Sequence, residues 1–318
     1  MTRVGVVDLG TNSTRLLVAD VEDGAVRELD RRLTITRLGE GVDARRLLLP
    51  TAVARVRNVL TDYRRVIEDL CARRTLAFAT SAMRDAENGE AFLGEIEWSY
   101  GFATRLLSGR EEAILTFRGV AAEREPPEGT LVLDVGGGST ELILGGPDGI
   151  DFHESLEVGC VRLTERFLAG DPPTRDQLRA AASFVGGLLA ERVPDRGAKH
   201  AIGVAGTVTT LATVSLGLNE EDPELVHGHR LSVDWIAGEV ERLAALPVNR
   251  IREERGIHPD RAPVIVAGAL VVRETLAHFG LGILEASEHD IMHGAALEAA
   301  ELPEPVEGDA PPGAYTCC

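Results

Sequence analysis

Asp8-Leu9-Gly10-Thr11-Asn12-Ser13-Thr14-Arg15-Leu16 returns 126 residues later as Asp134-Val135-Gly136-Gly137-Gly138-Ser139-Thr140-Glu141-Leu142. An apolar run precedes each turn and another follows it: residues 3–9 (RVGVVDL) and 14–21 (TRLLVADV), then 130–135 (TLVLDV) and 139–144 (STELIL). Each pair reads as two strands joined by a tight polar turn. At the same offset Phe78-Ala79-Thr80-Ser81 lines up with Val204-Ala205-Gly206-Thr207, a strand-to-helix turn in both places. Two independent segments sharing one offset argue for two copies of one α/β unit, against chance likeness between glycine-rich turns.

The elements around these anchors repeat too. Residues 25–36 alternate as a third strand. From Thr51 to Arg73, Val53, Val56, Val59, Leu60, Tyr63, Val66, Ile67 and Leu70 fall three and four apart, the stripe of a helix covering a sheet. Strands are expected at 75–79 and 102–107 and a helix at 109–122. Glu123–Gly129 (EREPPEG) is charged and Pro-rich and reads as the linker. In the second copy, a third strand is expected near 150–157. Helices follow at 160–169 and 175–193, a strand at 199–204, and a helix from Thr207. Further helices are expected at 234–246 and 261–279, a strand at 281–286 and a last helix at 289–301.

At 318 residues the chain has room for about two domains. Hydrophobic residues make up 44% and charged residues 26%, which excludes a disordered or collagen-like chain. The net charge is −18 and Lys199 is the only lysine, so a broad basic face for nucleic acid is excluded. A polyanionic substrate would have to be held by local arginines, backbone N–H groups or a metal. No apolar run reaches the ~20 residues that span a bilayer, and no signal peptide opens the chain. Four cysteines without metal-ligand or disulfide-framework spacing complete a cytoplasmic reading. Cys317-Cys318 could be a lipidation site; the Pro, Gly and acid of 303–318 favour a flexible tail end.

The turns can do chemistry. A hairpin of the form Asp-x-Gly-x-x-Ser-Thr exposes backbone N–H groups and two hydroxyls, a nest for phosphate oxygens, and the adjacent Asp can hold a divalent metal. Gly136, Gly137 and Gly138 let an anion approach the backbone closely. Two facing copies could clamp a phosphate chain across a cleft. The copies differ at one informative place, where Arg15 corresponds to Glu141. A guanidinium suits phosphate; a carboxylate seven residues after Asp134 suits Mg²⁺. The alternative is two solvated strand residues. Arg84 stands in the first turn of a helix opening near Ser81, where a cation opposes the helix dipole. That misfit is expected of a residue serving a ligand, the alternative being a surface pair with Asp85. Ser108 with Glu111 three residues on forms a capping box. Glu112 is not needed for the cap and could accept a proton from an attacking water. His227 and His229, and His289 and His293, resemble metal pairs but lack a third ligand at convincing spacing, so cap or loop roles are expected.

The ordered segments VVDLGTNSTRLLVAD, ATSAMRDAEN, LLSGREEAIL, LVLDVGGGSTELI, SLEVGCVRLTE and IGVAGTVTTLA closely resemble the exopolyphosphatase / guanosine pentaphosphate phosphohydrolase (Ppx/GppA) family of the actin-like phosphotransferase superfamily, over about residues 1–300. The resemblance implies an α/β fold of two ribonuclease-H-like (actin-like) domains with an active-site cleft between them. Domain I would be 1–124 with the helix 289–301 packing back on it, domain II 125–288, and 302–318 a flexible tail. It implies hydrolysis of inorganic polyphosphate to orthophosphate, dependent on Mg²⁺ or Mn²⁺, and a homodimer. Matched by motif, Glu112 takes the place of the catalytic glutamate, with Arg15 in the catalytic set. Asp134, Glu141 and Asp8 take acidic positions associated with the metal. Arg84 and the turns containing Thr11, Asn12, Ser13, Gly136, Gly137, Gly138, Ser139, Thr140, Gly206 and Thr207 take phosphate-contacting positions. Thr11 stands where serine is common. The chain resembles the short form of the family, which implies a preference for short polyphosphate.

Three other readings remain open on sequence. The same motifs fit hydrolysis of the 5′-γ-phosphate of guanosine pentaphosphate, since they read phosphate and not guanine. A small-molecule kinase of the same superfamily is opposed by the SGREEA box and by the lack of a second glycine-rich nucleotide signature after residue 250. A non-catalytic sensor of polyphosphate or guanosine penta/tetraphosphate is opposed by the joint presence of Glu112, Asp134 and Glu141.

Overall fold

The structure, a computed structural model, describes residues 1–194 and 197–303. It divides into two units, Met1–Arg124 with the described chain from Ile291, and Glu125–Asp290.

The first unit runs β1 (Thr2–Leu9), β2 (Ser13–Glu22), β3 (Ala25–Ile35), α1 (Val42–Arg45), α2 (Pro50–Asp69), β4 (Arg74–Ala79), α3 (Ser81–Asp85), α4 (Gly89–Tyr100), β5 (Ala103–Leu106) and α5 (Gly109–Ala121). Its five-stranded sheet has the order β3-β2-β1-β4-β5, with β1–β2–β3 antiparallel and β4 and β5 added in parallel. Alternate β1 residues feed two cores, as expected of a strand covered on both faces. Val7 and Leu9 join Val56, Leu60 and Ile67 of α2, while Val4 and Val6 join Leu115 of α5 and residues near the chain's far end.

The second unit runs β6 (Thr130–Val135), β7 (Thr140–Gly146), β8 (Gly149–Leu156), α6 (Cys160–Phe167), α7 (Arg175–Arg192), β9 (His200–Val204), α8 (Ala205–Ser215), α9 (Pro223–Val226), β10 (Arg230–Ser232), α10 (Val233–Ala244), α11 (Val248–Ile251), α12 (Ile265–His278) and β11 (Ile283–Ala286). The last helix, α13 (Ile291–Ala299), belongs to the first unit, where Ala295 and Ala296 are fully buried. The second sheet is ordered β10-β11-β9-β6-β7-β8. Read from β8 inward, it repeats the first sheet and adds the short edge strand β10.

The repeat extends to single hydrogen bonds. Asp8 faces Arg15 in the first hairpin and Asp134 faces Glu141 in the second. The turn closes by Gly10 N–H donating to the Ser13 carbonyl (3.0 Å) and by Gly136 N–H donating to the Ser139 carbonyl (3.1 Å). The bulge between Val18 and Ala19 recurs between Leu144 and Gly145. Asp8 pairs with Phe78 across the parallel ladder, and Asp134 with Val204. A bulge re-aims a strand and its twist, so keeping it in both copies keeps both hairpins aimed alike. Among the described residues no helix is long and apolar enough to cross a membrane.

Candidate active site

Each hairpin turn is held by its carbonyls. In the second unit the Gly136 carbonyl accepts from Cys160 N–H (2.9 Å), and the Gly137 carbonyl from Val161 (2.9 Å) and Arg162 (3.2 Å). The Gly138 carbonyl accepts from Arg162 Nε at 2.8 Å. A trans peptide points its C=O and its N–H in opposite directions. Three carbonyls turned toward the start of α6 therefore turn the N–H groups of Gly137, Gly138 and Ser139 away from it, which builds an anion nest. In the first unit the Thr11 carbonyl accepts from Gly39 N–H (2.8 Å), and the Asn12 carbonyl from Thr36 (3.1 Å) and Arg37 (2.9 Å). The N–H groups of Asn12 and Ser13 are turned by the same rule. Thr11 Oγ1 lies 3.0 Å from Ser81 Oγ, tying this turn to the start of α3.

Gly159 shows why the second turn needs glycine beside it. A Cβ there would stand 2.5 Å from the Gly137 carbonyl carbon and oxygen and 2.6 Å from the Gly136 oxygen. These are backbone atoms that cannot step aside without moving the nest. Gly159→Ala should therefore destabilise the protein by about 1–3 kcal/mol and raise the KM for substrate several-fold. Urea unfolding and steady-state kinetics on the one variant check both.

The charged residues divide between the units. In the first, Arg15 donates from Nε to Asp8 Oδ2 (2.8 Å), with its Nη2 2.6 Å from the same oxygen. Arg84 donates to the Leu107 carbonyl at 2.6 Å and to Glu112 Oε1. Glu112 is 5% exposed although charged. It lies in the first turn of α5, where the helix dipole favours a carboxylate. The capping role falls on its neighbour. Glu111 N–H donates to Ser108 Oγ (3.3 Å) and Ser108 N–H donates to Glu111 Oε2 (2.8 Å). The Ser108 N–H, the Ser108 hydroxyl and Arg105 hold the Glu111 carboxyl below the usual range.

In the second unit Asp134 and Glu141 stand opposite each other on β6 and β7, both buried. Like charges directly opposite are unfavourable, and a shared cation relieves them. The first hairpin is the internal control, since the same register there holds a carboxylate and a guanidinium. Two carboxylates are hard oxygen donors, and Mg²⁺ typically takes one or two carboxylates and completes its shell with water and phosphate. Among the described residues no group of three or more His, Cys, Asp or Glu side chains is gathered for a metal.

The structure brings Thr11, Asn12, Ser13, Asp8 and Arg15 together at one turn, and Asp134, Gly136, Gly137, Gly138, Ser139 and Glu141 at the other. Thr140 stands apart from its turn's inner face: it is fully buried and its hydroxyl donates to the Val158 carbonyl at 2.5 Å, so it fastens the hairpin. Thr207 is 3.5 Å from the Val135 carbonyl. Asp8, expected at the metal, accepts Arg15. Two arginines escaped the sequence reading. Arg162 supports the Gly138 carbonyl from the first turn of α6, a position its closeness to the glycine run could have flagged. Arg261 lies against Gly206, where a Cβ would stand 1.8 Å from its guanidinium. No spacing links those two positions. Beside them Cys160 is buried, and burial pushes its thiol up to about 11, which leaves it a packing residue at neutral pH.

Several known proteins resemble this chain over nearly its full length. The model of the Ppx/GppA phosphatase family matches residues 17–301. The chain is 38% identical over 317 residues to a protein named exopolyphosphatase 2 of Mycobacterium tuberculosis, covering 94% of this chain and 99% of that one. A crystal structure described as an exopolyphosphatase-like protein superposes with a TM-score of 0.88 at 34% identity, covering 93% of this chain and 97% of that one. The Aquifex aeolicus Ppx/GppA family member superposes with a TM-score of 0.80 at 29% identity, covering 94% and 97%.

Proposed function

Because the chain belongs to the Ppx/GppA phosphatase family, we propose that it is an exopolyphosphatase that releases terminal orthophosphate from inorganic polyphosphate by Mg²⁺-dependent hydrolysis. The observation that carries the proposal is Glu112, a buried carboxylate that caps nothing and is held by Arg84. Such a group can accept the proton of a water attacking a terminal phosphorus. Phosphoryl transfer through a loose transition state asks mostly for positioning and charge stabilisation. The turned N–H groups of Asn12 and Ser13, and of Gly137, Gly138 and Ser139, supply donors to phosphate oxygens. Arg15 and Arg84 supply planar, permanently charged forks. Asp134 and Glu141 are the residues that would hold the divalent cation. When bound, Mg²⁺ or Mn²⁺ neutralises phosphate oxygens and stabilises the leaving oxygen. On a chain of net charge −18 these local donors must outweigh a repulsive far field.

The test is phosphate release from short polyphosphate, long polyphosphate and guanosine pentaphosphate in parallel, with and without Mg²⁺. Release from polyphosphate that disappears on chelation is expected, and the first two arms decide the short-chain preference. Release from guanosine pentaphosphate alone would replace the proposal with the nucleotide activity. Metal-independent release would remove Asp134 and Glu141 from their role.

A further inference from the structure

Glu141 has a second cross-strand neighbour, on β8. On β8, Ser155 stands opposite Glu141 in the β7–β8 ladder, just as Asp134 stands opposite Glu141 in the β6–β7 ladder. Directly opposed residues of antiparallel strands project to the same face, so Asp134, Glu141 and Ser155 form one transverse row. The Ser155 hydroxyl donates to Glu141 Oε1 at 2.9 Å. We propose that Ser155 is a positioning residue for the metal site: its hydroxyl fixes the plane of the Glu141 carboxylate so that the Asp134–Glu141 pair is set for a divalent cation.

The internal repeat supplies the control. The equivalent row of the first sheet reads Asp8, Arg15 and Leu33. There the middle residue is a guanidinium already oriented by Asp8, and the third strand offers an exposed leucine. A hydroxyl occupies the third place only in the copy whose middle residue is a carboxylate. A long glutamate side chain on a strand has three torsions to fix, and one directed hydrogen bond removes much of that freedom. Partners of metal-ligating carboxylates act in this way, and losing one typically costs 10–100-fold in metal affinity.

The inference rests on the magnesium reading of Asp134 and Glu141, and the experiment separates the two. Mn²⁺ binding in the absence of substrate is followed by electron paramagnetic resonance on the full chain, for wild type, Ser155→Ala, Ser155→Thr and Glu141→Gln. In parallel, the Mn²⁺ concentration giving half-maximal phosphate release and the melting temperature are measured. Ser155→Ala should bind Mn²⁺ about 10-fold more weakly. Its half-activation point should move up by a similar factor, and excess Mn²⁺ should recover the lost rate, which it would not do for a misfolded variant. Ser155→Thr keeps the hydroxyl on a strand that favours β-branched residues and should restore affinity. Normal Mn²⁺ affinity in Ser155→Ala beside lost affinity in Glu141→Gln would overturn the role of Ser155 alone. Normal affinity in Glu141→Gln, or no Mn²⁺ binding by the wild type, would remove the metal reading and this inference with it.

Discussion

Glu112→Gln is expected to lose roughly 10²–10⁴-fold in turnover on polyphosphate, the usual cost of removing a positioned general base. Gln keeps the shape and can still accept a hydrogen bond from Arg84, but its amide cannot take the proton of the attacking water. In a loose transition state much of the base's benefit is orientation, so the lower end of that range is favoured. The substitution also takes away the charge that pairs with Arg84, and a partly buried cation losing its partner costs some stability. Arg84 retains the Leu107 carbonyl as a second acceptor at 2.6 Å, so folding should survive. The neighbouring variant makes the test specific. Glu111→Gln can still accept from the Ser108 N–H at the cap, so its turnover should stay near that of wild type. The Glu111 carboxyl is held low by the cap and by Arg105. The stability it contributes is therefore present above the ordinary carboxylate range and fades as pH falls through its lowered value. Glu111→Gln should flatten that acid limb of the melting curve and leave Glu112 chemistry untouched. Turnover, polyphosphate affinity and melting against pH on the two single variants decide the matter. A dead Glu111→Gln beside an active Glu112→Gln would reverse the assignment of cap and base.

Much of this was legible because the informative residues had no freedom to be otherwise. The hairpin signature is local: glycine where the chain doubles back, hydroxyls at the turn, Asp at the strand end. The repeat of that signature fixed the fold class, and the α/β architecture with two sheets follows it. The capping box at Ser108 and Glu111 was readable for the same reason, since its partners are three residues apart. What escaped depends on long-range approach or weak periodicity. The helix α4 buries Phe92, Leu93 and Ile96 but leaves Trp98 exposed, so its stripe is too broken to stand out. The strand β10 is three residues long, too short for a period of two to register. Thr140 looked like a turn hydroxyl because the motif places it there. Only the fold shows the Val158 carbonyl that claims it. Arg261 is invisible in the sequence because its meeting with Gly206 is made by tertiary packing. The register that sets Glu141 against both Asp134 and Ser155 is likewise a property of paired strands.

The second large effect is expected at the carboxylate pair. Asp134→Asn and Glu141→Gln each exchange a charged oxygen for a neutral amide at almost constant volume, so packing on β6 and β7 should hold. In the first hairpin the same two positions are filled by Asp8 and Arg15, which shows that this register accommodates a charge-balanced pair. Either variant relieves the opposition of like charges across the strands, and relief of like-charge opposition stabilises a sheet by a few tenths to about 1 kcal/mol. The prediction is therefore two-signed: each single variant should melt at or above the wild-type temperature in metal-free buffer while losing catalysis. Mg²⁺ prefers anionic oxygen donors and sheds water reluctantly, so one carboxylate fewer should raise the Mg²⁺ needed for half-maximal phosphate release by 10-fold or more, on the order of the losses seen when a metal-site partner is removed. Added Mg²⁺ should raise the melting temperature of wild type, because a ligand bound only by the folded state stabilises it, and should raise that of either variant much less. Melting with and without Mg²⁺, and phosphate release across a Mg²⁺ titration, read both signs on the same preparations. Unchanged Mg²⁺ dependence in both variants would take Asp134 and Glu141 out of the metal site. A large loss of stability in metal-free buffer would show instead that the paired charges are held by the protein's own donors and hold the strands together.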